Sequence, residues 1–289
     1  MDEATTVLRK FNRTYTQRIG VLDESFLGTG RPLGVSRLLF EIGTGGSTTV
    51  RELRERLGLD SGHLARMLRR LEEEGLAATE ADPADARRRR VELTRAGRTA
   101  YRDLERRSER LAAGLVAPLT DRQRARLVDA LATADLLVRA ATVQLRAVKP
   151  ADPMARQATG YYFAELNERF PDGFDPGGPD AAEPGAGYVV AVSDGEPVAH
   201  GGVRPLDNGT AEIKRMWVHP DWRGAGLGAR MLRHLEQMAR DRGHDRVVLD
   251  TNATLTEAMA MYKRAGYRRI RRYNANPYAQ AWFAKDLTG

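Results

Sequence analysis

The chain has 289 residues, 42% of them hydrophobic, with 46 Lys/Arg against 39 Asp/Glu and a formal net charge of +7. That length is more than one core usually holds, and the composition excludes a disordered chain, so two packed domains of ordinary size are expected. Cysteine is absent, which excludes disulfides, thiolate metal sites and a cysteine nucleophile. The five histidines show no metal-ligand spacing, so no metal is expected.

The first twenty residues mix Asp2, Glu3, Arg9, Lys10 and Arg13 with scattered apolar residues, so no secretory core is expected there. No apolar run approaches the roughly 18 residues needed to cross a bilayer. With no cysteine to oxidise, a cytoplasmic protein with no membrane contact is the expectation. The basic excess is uneven: residues 1–146 carry 27 Lys/Arg against 21 Asp/Glu, whereas residues 147–289 carry 19 against 18. Such a bias fits a first half that meets nucleic acid, although a solvated arginine-rich surface would look the same by charge alone.

From Ala4 to Val148 the pattern is mostly helical. "TTVRELRERLGLDSGHLARMLRRLEEEGLAA" reads as two short helices joined at Gly58, with Val50, Leu53 and Leu57 on one apolar face and Leu64, Leu68 and Leu71 on the other. That layout is a helix-turn-helix, whose second helix would enter the major groove with Ser61, His63 and Arg66 toward base edges. Residues 76–94 then read strand, polar turn, strand, with Arg87 to Arg90 consecutive. A hairpin just beyond a recognition helix is a wing, and its arginines can enter the minor groove or clamp phosphates. The last helix of this half begins at Thr120, a candidate N-cap, presents Leu127, Leu131, Ala134, Leu137 and Val138 on one face, and ends near Pro150 and Pro153. The linker is expected there.

Beyond it, "YYFAELNERF" reads as helix and "FDPGGPDAAEPGAG" as irregular loop. Three antiparallel strands follow, turned at Asp194-Gly195 and Asn208-Gly209. A glycine-rich loop, a helix from about Gly226, the strand "RVVLDT", the helix "LTEAMAMYKRAG" and strands around Tyr267 and Trp282 complete an α/β domain. The loop "WRGAGLGARML" exposes backbone N–H groups to an anion. A P-loop would need Gly-Lys-Ser/Thr, and a dinucleotide fingerprint would need different glycine spacing tight against a strand. Neither is present.

Two resemblances emerge from these stretches. "LRRLEEEGL" followed by "DPADARRRRVELTRAG", with Asp85, Arg87, Val91, Leu93, Thr94 and Gly97 at their places, resembles the winged helix of the MarR family of transcriptional regulators. The resemblance covers about residues 4–146. It implies double-stranded DNA with a pseudo-palindromic operator as partner, and homodimerisation through terminal helices at roughly 4–18 and 120–145. Ser61, His63 and Arg66 would then face bases, Arg87 and Arg89 would occupy the wing, and Asp85 would orient a wing arginine.

"EIKRMWVHPDWRGAGLGARML" resembles motif A of the GNAT acetyltransferase superfamily, and "LDTNATLTEAMAMYKRAGY" resembles its motif B; together they cover about 155–287. The resemblance implies acetyl-CoA as co-substrate. The pyrophosphate would lie on Arg223, Gly224, Gly226, Leu227, Gly228, Ala229 and Arg230, where a helix N-terminus adds partial positive charge. The pantetheine arm would run along the strand 212–218, against the backbones of Met216, Trp217 and Val218. Asn252 would contact CoA or a bound water. Tyr262 would protonate the departing sulfur; ordinary tyrosine and thiol pKa values of about 10 and about 8.5 make that transfer nearly balanced. Glu212 is the candidate base, acting directly or through water, and Tyr162, Phe163, Arg215, Asn276 and Tyr278 are candidates for the acceptor wall.

The expected architecture is two domains: a mainly α winged helix-turn-helix over 1–148, and an α/β GNAT fold with a mixed, mostly antiparallel sheet over 149–289. The expected function is a transcriptional regulator that also transfers acetyl directly from acetyl-CoA to a primary amine. Two alternatives stay open: an acetyl-CoA-sensing repressor with little catalysis, and an enzyme merely dimerised by its winged helix.

Overall fold

The computed structural model describes residues 2–83, 85–176, 185–206 and 209–287. Asn208 of the second expected hairpin turn, and residues 177–184 of the expected loop, lie outside the described residues. The chain divides into two compact units, Met1–Ala125 and Arg126–Gly289.

The first unit contains α1 (Glu3–Arg18), α2 (Leu33–Gly45), the two-residue strand β1 (Thr48–Thr49), α3 (Val50–Leu57), α4 (Ser61–Glu73), β2 (Ala77–Asp82), β3 (Asp85–Leu93) and α5 (Arg95–Val116). Local chemistry sets each boundary. Thr49 and Glu52 form a reciprocal capping box at the start of α3, and Asp60 caps α4 by accepting from the His63 N–H at 2.8 Å. The apolar faces read from the sequence meet: Leu53, Leu64, Leu68 and Leu71 pack with Leu38, Leu39 and Ile42 of α2 and with Val91 of β3. Burying one such leucine contributes roughly 2 kcal/mol. The strands form a small sheet in the order β1-β3-β2, which makes β2 and β3 the wing.

The "LTRAG" close has a packing reason. Thr94 accepts from the Gly97 N–H at 3.0 Å, capping α5, and donates to the Gly75 carbonyl at 2.7 Å. This draws the first turn of α5 so near the β2 entry that a Cβ on Gly97 would lie 1.8 Å from the Leu76 carbonyl oxygen.

The helix α6 (Asp121–Thr142) starts where Thr120 predicts, with Gln123 closing a capping box from its side chain to the Thr120 N–H at 2.9 Å. Its end differs from expectation. The helix does not run on toward Pro150; residues 145–148 form a strand, β4 (Leu145–Val148), paired antiparallel with β5 (Gly187–Ser193). The cause is tertiary: Arg230 donates to the Ala140 and Val143 carbonyls, both at 2.6 Å, and so satisfies the end of the helix. The expected domains meet at 148/149, whereas the compact units part at 125/126, within α6.

The second unit continues with α7 (Pro153–Arg169), β6 (Glu196–Pro205), β7 (Thr210–Val218), α8 (Leu227–Asp241), β8 (Arg246–Thr251), α9 (Thr256–Arg264), β9 (Arg268–Arg269) and β10 (Ala281–Asp286). Its sheet runs β4-β5-β6-β7-β8-β10-β9, antiparallel everywhere except between β7 and β8. Leu227, Met231, Leu232 and Leu235 of α8 pack on Val189, Ala191, Ile213, Val247 and Leu249 of one sheet face. The period of two then puts Val248 and Asp250 on the opposite face, where α7 lies over β5, β6 and β7.

The Gly97 contact generates a direct test. Gly97→Ala should cost about 2 kcal/mol or more, because a backbone carbonyl, not a movable side chain, occupies the added methyl's place. Urea unfolding followed by circular dichroism measures it; an unchanged midpoint would refute the close approach.

Candidate functional site

The site begins with a fork in the sheet. β7 and β8 pair only from Thr210↔Arg246 to Glu212↔Val248; beyond Glu212 the register ends and the strands part. On its other side β7 carries one extra residue, since His200 pairs with Trp217 but Gly202 with Lys214. Arg215 absorbs that bulge with a left-handed φ of 53°. The His219 N–H donates to the Val198 carbonyl at 2.9 Å, so by alternation the Trp217 N–H also faces β6. The N–H groups of Met216 and Val218 therefore face the opened side of the fork.

The fork leads into the glycine loop. Gly224 and Gly226 hold left-handed φ values of 83° and 80°, and a Cβ on either would meet nothing within 4 Å. Gly226 is the N-cap residue of α8, and no side chain caps that helix. Its first-turn N–H groups, from Leu227, Gly228 and Ala229, thus point toward open space with the positive end of a 15-residue helix behind them.

At the inner end of the fork lies a cavity of about 350 Å³. Tyr162, Phe163, Arg215, Asn276, Tyr278 and Tyr262 all line it, so the residues expected at the acceptor wall and the tyrosine expected to donate a proton come together. Tyr262 is 6% exposed, and burial, reinforced by the nearby Tyr162 and Asp250, pushes its hydroxyl well above the ordinary tyrosine range. Burial shifts Tyr162 in the same direction, with Asp250 again contributing. Asp250 itself was missed from the sequence. It lines the cavity and accepts from Asn276 Nδ2. Its signal was a carboxylate closing an otherwise apolar strand, "VVLDT".

In the first unit, Ser61, His63 and Arg66 are all exposed on α4. Asp85 accepts from the Arg87 N–H at 3.1 Å and pairs with Arg87 and Arg88 at 3.7 and 3.4 Å, so it orients wing arginines. Arg87 is 96% exposed at the side chain. Arg89 shares its strand face with Val91 and Leu93 and projects over α4, where it lines a groove with Ser61, Arg51, Arg54 and Arg69. The last three were not singled out from the sequence; their signal is the i, i+3 spacing of Arg51 with Arg54 and of Arg66 with Arg69.

Residues 153–267 match the acetyltransferase (GNAT) family, and residues 29–88 match the MarR family. The chain joins a MarR-family winged helix to a GNAT-family fold. Over 92 residues it is 35% identical to the uncharacterized N-acetyltransferase YjgM of Escherichia coli, a stretch covering 31% of this chain and 55% of that protein. The chain thus spans little more than half the length of that curated relative. Among solved structures it is similar to an acetyltransferase of the GNAT family from Staphylococcus aureus, at 16% identity and a TM-score of 0.46, covering 50% of this chain and 100% of that one. It is also similar to the reduced form of MarR from Escherichia coli, at 26% identity and a TM-score of 0.40, covering 44% of this chain and 93% of that one.

Within the second unit, five of the expected contact residues are engaged by the protein itself. Arg223 donates to the Val218 carbonyl at 2.9 Å and pairs with Glu165 of α7 at 2.5 Å, so its guanidinium is already held. Arg230 is spent on the α6 carbonyls. The N–H groups of the first turn of α8 carry no side-chain cap and stay open at the loop. Trp217 turns its N–H to β6 and its Nε1 to Glu165 at 2.9 Å, so it contributes packing. Asn252 uses both ends of its amide internally, donating to the Tyr278 carbonyl at 2.8 Å and accepting from Thr254 N–H and Oγ1, each at 2.9 Å. Glu212 is fully buried and does not line the cavity. Arg204 pairs with it, Tyr273 donates to it at 2.7 Å, Asn274 at 3.3 Å, and Lys214 lies at 3.7 Å. A carboxylate so enclosed by donors holds the fork together; it is not placed to take a proton from an acceptor.

Among the described residues no group of three or more acidic or histidine side chains could hold a metal, and no helix is long and apolar enough to cross a membrane. The revised role of Glu212 is measurable. Glu212→Ala should destabilise the protein by about 3 kcal/mol, because Arg204 loses its buried counter-charge. Thermal unfolding would show it, and an unaltered melting temperature would contradict a structural role.

Proposed function

We propose that the chain is a bifunctional protein: a MarR-type transcriptional regulator that binds double-stranded DNA as a homodimer, and an acetyl-CoA-dependent N-acetyltransferase acting on a primary amine. The carrying observation is the fork. Two free N–H groups on β7 lead from an uncapped glycine helix terminus down to a cavity that contains Tyr262. That layout fits acetyl-CoA by its chemistry: a polyanion at the helix terminus, an amide-bearing arm along a strand edge, and a reacting end in the cavity.

When bound, acetyl-CoA supplies an acetyl group on a thioester sulfur. The chain's own residues do the rest. The α8 N–H groups and the Met216 and Val218 N–H groups hold and orient, the latter able to stabilise negative charge on an acyl oxygen. Tyr262 keeps its proton at Oη until a sulfur beside it demands one. Per turnover an ammonium becomes an amide, the sulfur gains a proton, and one proton is released to solvent.

DNA binding is supported by the exposed α4 face and the arginines beside it. Dimerisation is supported by exposed apolar side chains in each unit. Val7, Leu8, Phe11 and Tyr15 of α1, and Val128, Leu131, Leu137 and Val138 of α6, are 45–64% exposed, which leaves large apolar side chains for a second copy to cover. One contact also favours the sensing alternative. Arg230, in the first turn of α8, grips the end of α6, so events at the glycine loop have a direct mechanical link to that helix.

Gly226→Asp should abolish acetyl-CoA binding in calorimetry by placing a carboxylate in the anion's space. Tyr262→Phe should bind it normally and lose about 10²-fold in turnover. Wild-type affinity in the first variant would remove the cofactor assignment, and wild-type turnover in the second would remove the tyrosine's role.

For the regulator half, the operator should be an inverted repeat with half-sites roughly 10 base pairs apart. Replacing Arg87 and Arg89 by alanine should weaken all duplexes alike and flatten the salt dependence by about 0.9 log unit per lost phosphate contact. An unchanged slope would mean that the wing arginines are merely solvated.

A further inference from the structure

The cavity beside Tyr262 has a composition that selects among amines. One side is a continuous aromatic wall. Phe163 and Phe174 have ring centroids 5.3 Å apart, Phe174 and Tyr278 4.8 Å, and Phe170 and Tyr278 5.8 Å, with the last pair near parallel. All four line the space. Rings packed at these distances present faces and edges to the space they line, which suits another ring laid against them. At about 350 Å³ the cavity sits at the small end of ligand sites, room for a small molecule.

Polar side chains also line it, Asp175 among them, and several are committed elsewhere. Asn252 is bonded at both ends, Arg215 lies over the Phe163 ring and donates to the Tyr188 hydroxyl, and Lys214 faces Glu212. Asp250 is different. Among the described residues its carboxylate receives one bond, from Asn276 to Oδ2, while it lies close enough to Tyr162 and Tyr262 to act on both hydroxyls. A half-buried carboxylate walled by aromatic rings attracts a cation, and the rings' negative faces reinforce that preference.

The geometry points to an aromatic primary amine as the acceptor, its ring held by Phe170, Phe174 and Tyr278 and its ammonium anchored on Asp250. This rests on the acetyl-transfer reading above and gives it a substrate class. It also fills the place that Glu212 vacates. The ammonium passes one proton to Asp250, directly or through water, the freed lone pair forms the new C–N bond as the C–S bond breaks, and the departing sulfur takes its proton from Tyr262. The second proton left on the acylated nitrogen passes through water to restore the Tyr262 hydroxyl, and Asp250 returns its proton to solvent, so one proton is released per turnover.

Calorimetry on the full chain with three probes tests the idea: phenethylamine, 2-phenylethanol, which lacks the charge, and n-butylamine, which lacks the ring. Phenethylamine should bind about tenfold or more tightly than either. Asp250→Asn should reduce its affinity to that of the alcohol, and Phe174→Ala should reduce it toward that of butylamine. Both variants should keep wild-type acetyl-CoA affinity, which also reports that they fold. Equal binding of butylamine and phenethylamine by the wild-type chain would overturn the proposal. So would Asp250→Asn with full phenethylamine affinity. If the wild-type chain bound phenethylamine selectively yet ignored acetyl-CoA, the acetyl-transfer reading would fall while the amine site stood.

Discussion

Everything in the second unit depends on β7 and β8 being parallel for three residue pairs and then separating. A parallel pair normally continues as long as both strands last, because each lost bond strands a donor and an acceptor. Here two features force the parting. The Arg215 bulge turns the outer half of β7, and the buried Glu212 pins the last paired position by drawing in Arg204 from β6, Lys214 from β7, and Tyr273 and Asn274 from the segment after β9. A charge at that depth is costly unless fully surrounded by donors, and this one is. The strand edge that results is open on purpose, and its N–H groups are the raw material of the site.

The same economy governs the anion end. Arginines near a glycine loop suggest phosphate binding, yet Arg223 and Arg230 serve to fix the loop's flanks, one to α7 and the β7 carbonyl, the other to the end of α6. The backbone dipoles at the α8 N-terminus are held in place by those contacts. Such preorganised donors need no rearrangement when charge arrives, whereas a flexible guanidinium would first have to be ordered. Charge near a site and charge in a site are therefore different observations, and only the first is visible in a sequence.

That distinction marks what was legible. Elements with strong local chemistry were placed well: the capped helices α3 and α4, the wing, the hairpin at Asp194-Gly195 and the helix after Gly226. Tyr262, Tyr162, Phe163, Asn276 and Tyr278 fall on one cavity, as local motif spacing and aromatic clustering suggest. The failures have a common cause. β4 was read as helix because its four residues form a strand only through β5 and the Arg230 clamp. Glu212 was assigned a proton because nothing local reveals that donors from distant segments enclose it. Asp250 went unnoticed because strand alternation tells which face a residue takes, but not what stands opposite.

The buried tyrosine changes how proton delivery must be understood. With ordinary values, a tyrosine would hand its proton to a thiolate against a small gradient. Burial and the neighbouring Asp250 raise the Tyr262 hydroxyl further, so it remains protonated throughout the neutral and moderately alkaline range and is a poorer acid than in water. This is no obstacle if the sulfur is desolvated in the same cavity, since burial raises a thiol's proton affinity for the same reason. What counts is the difference between two groups that share one environment, and that difference shrinks as water is excluded from both. A carboxylate close to the tyrosine serves the same end. In the proposed reaction, a proton taken up by Asp250 would neutralise its charge and remove its share of the upward push on the tyrosine as the tyrosine's proton is needed. Amine deprotonation and sulfur protonation would in that way be coupled through one electrostatic contact.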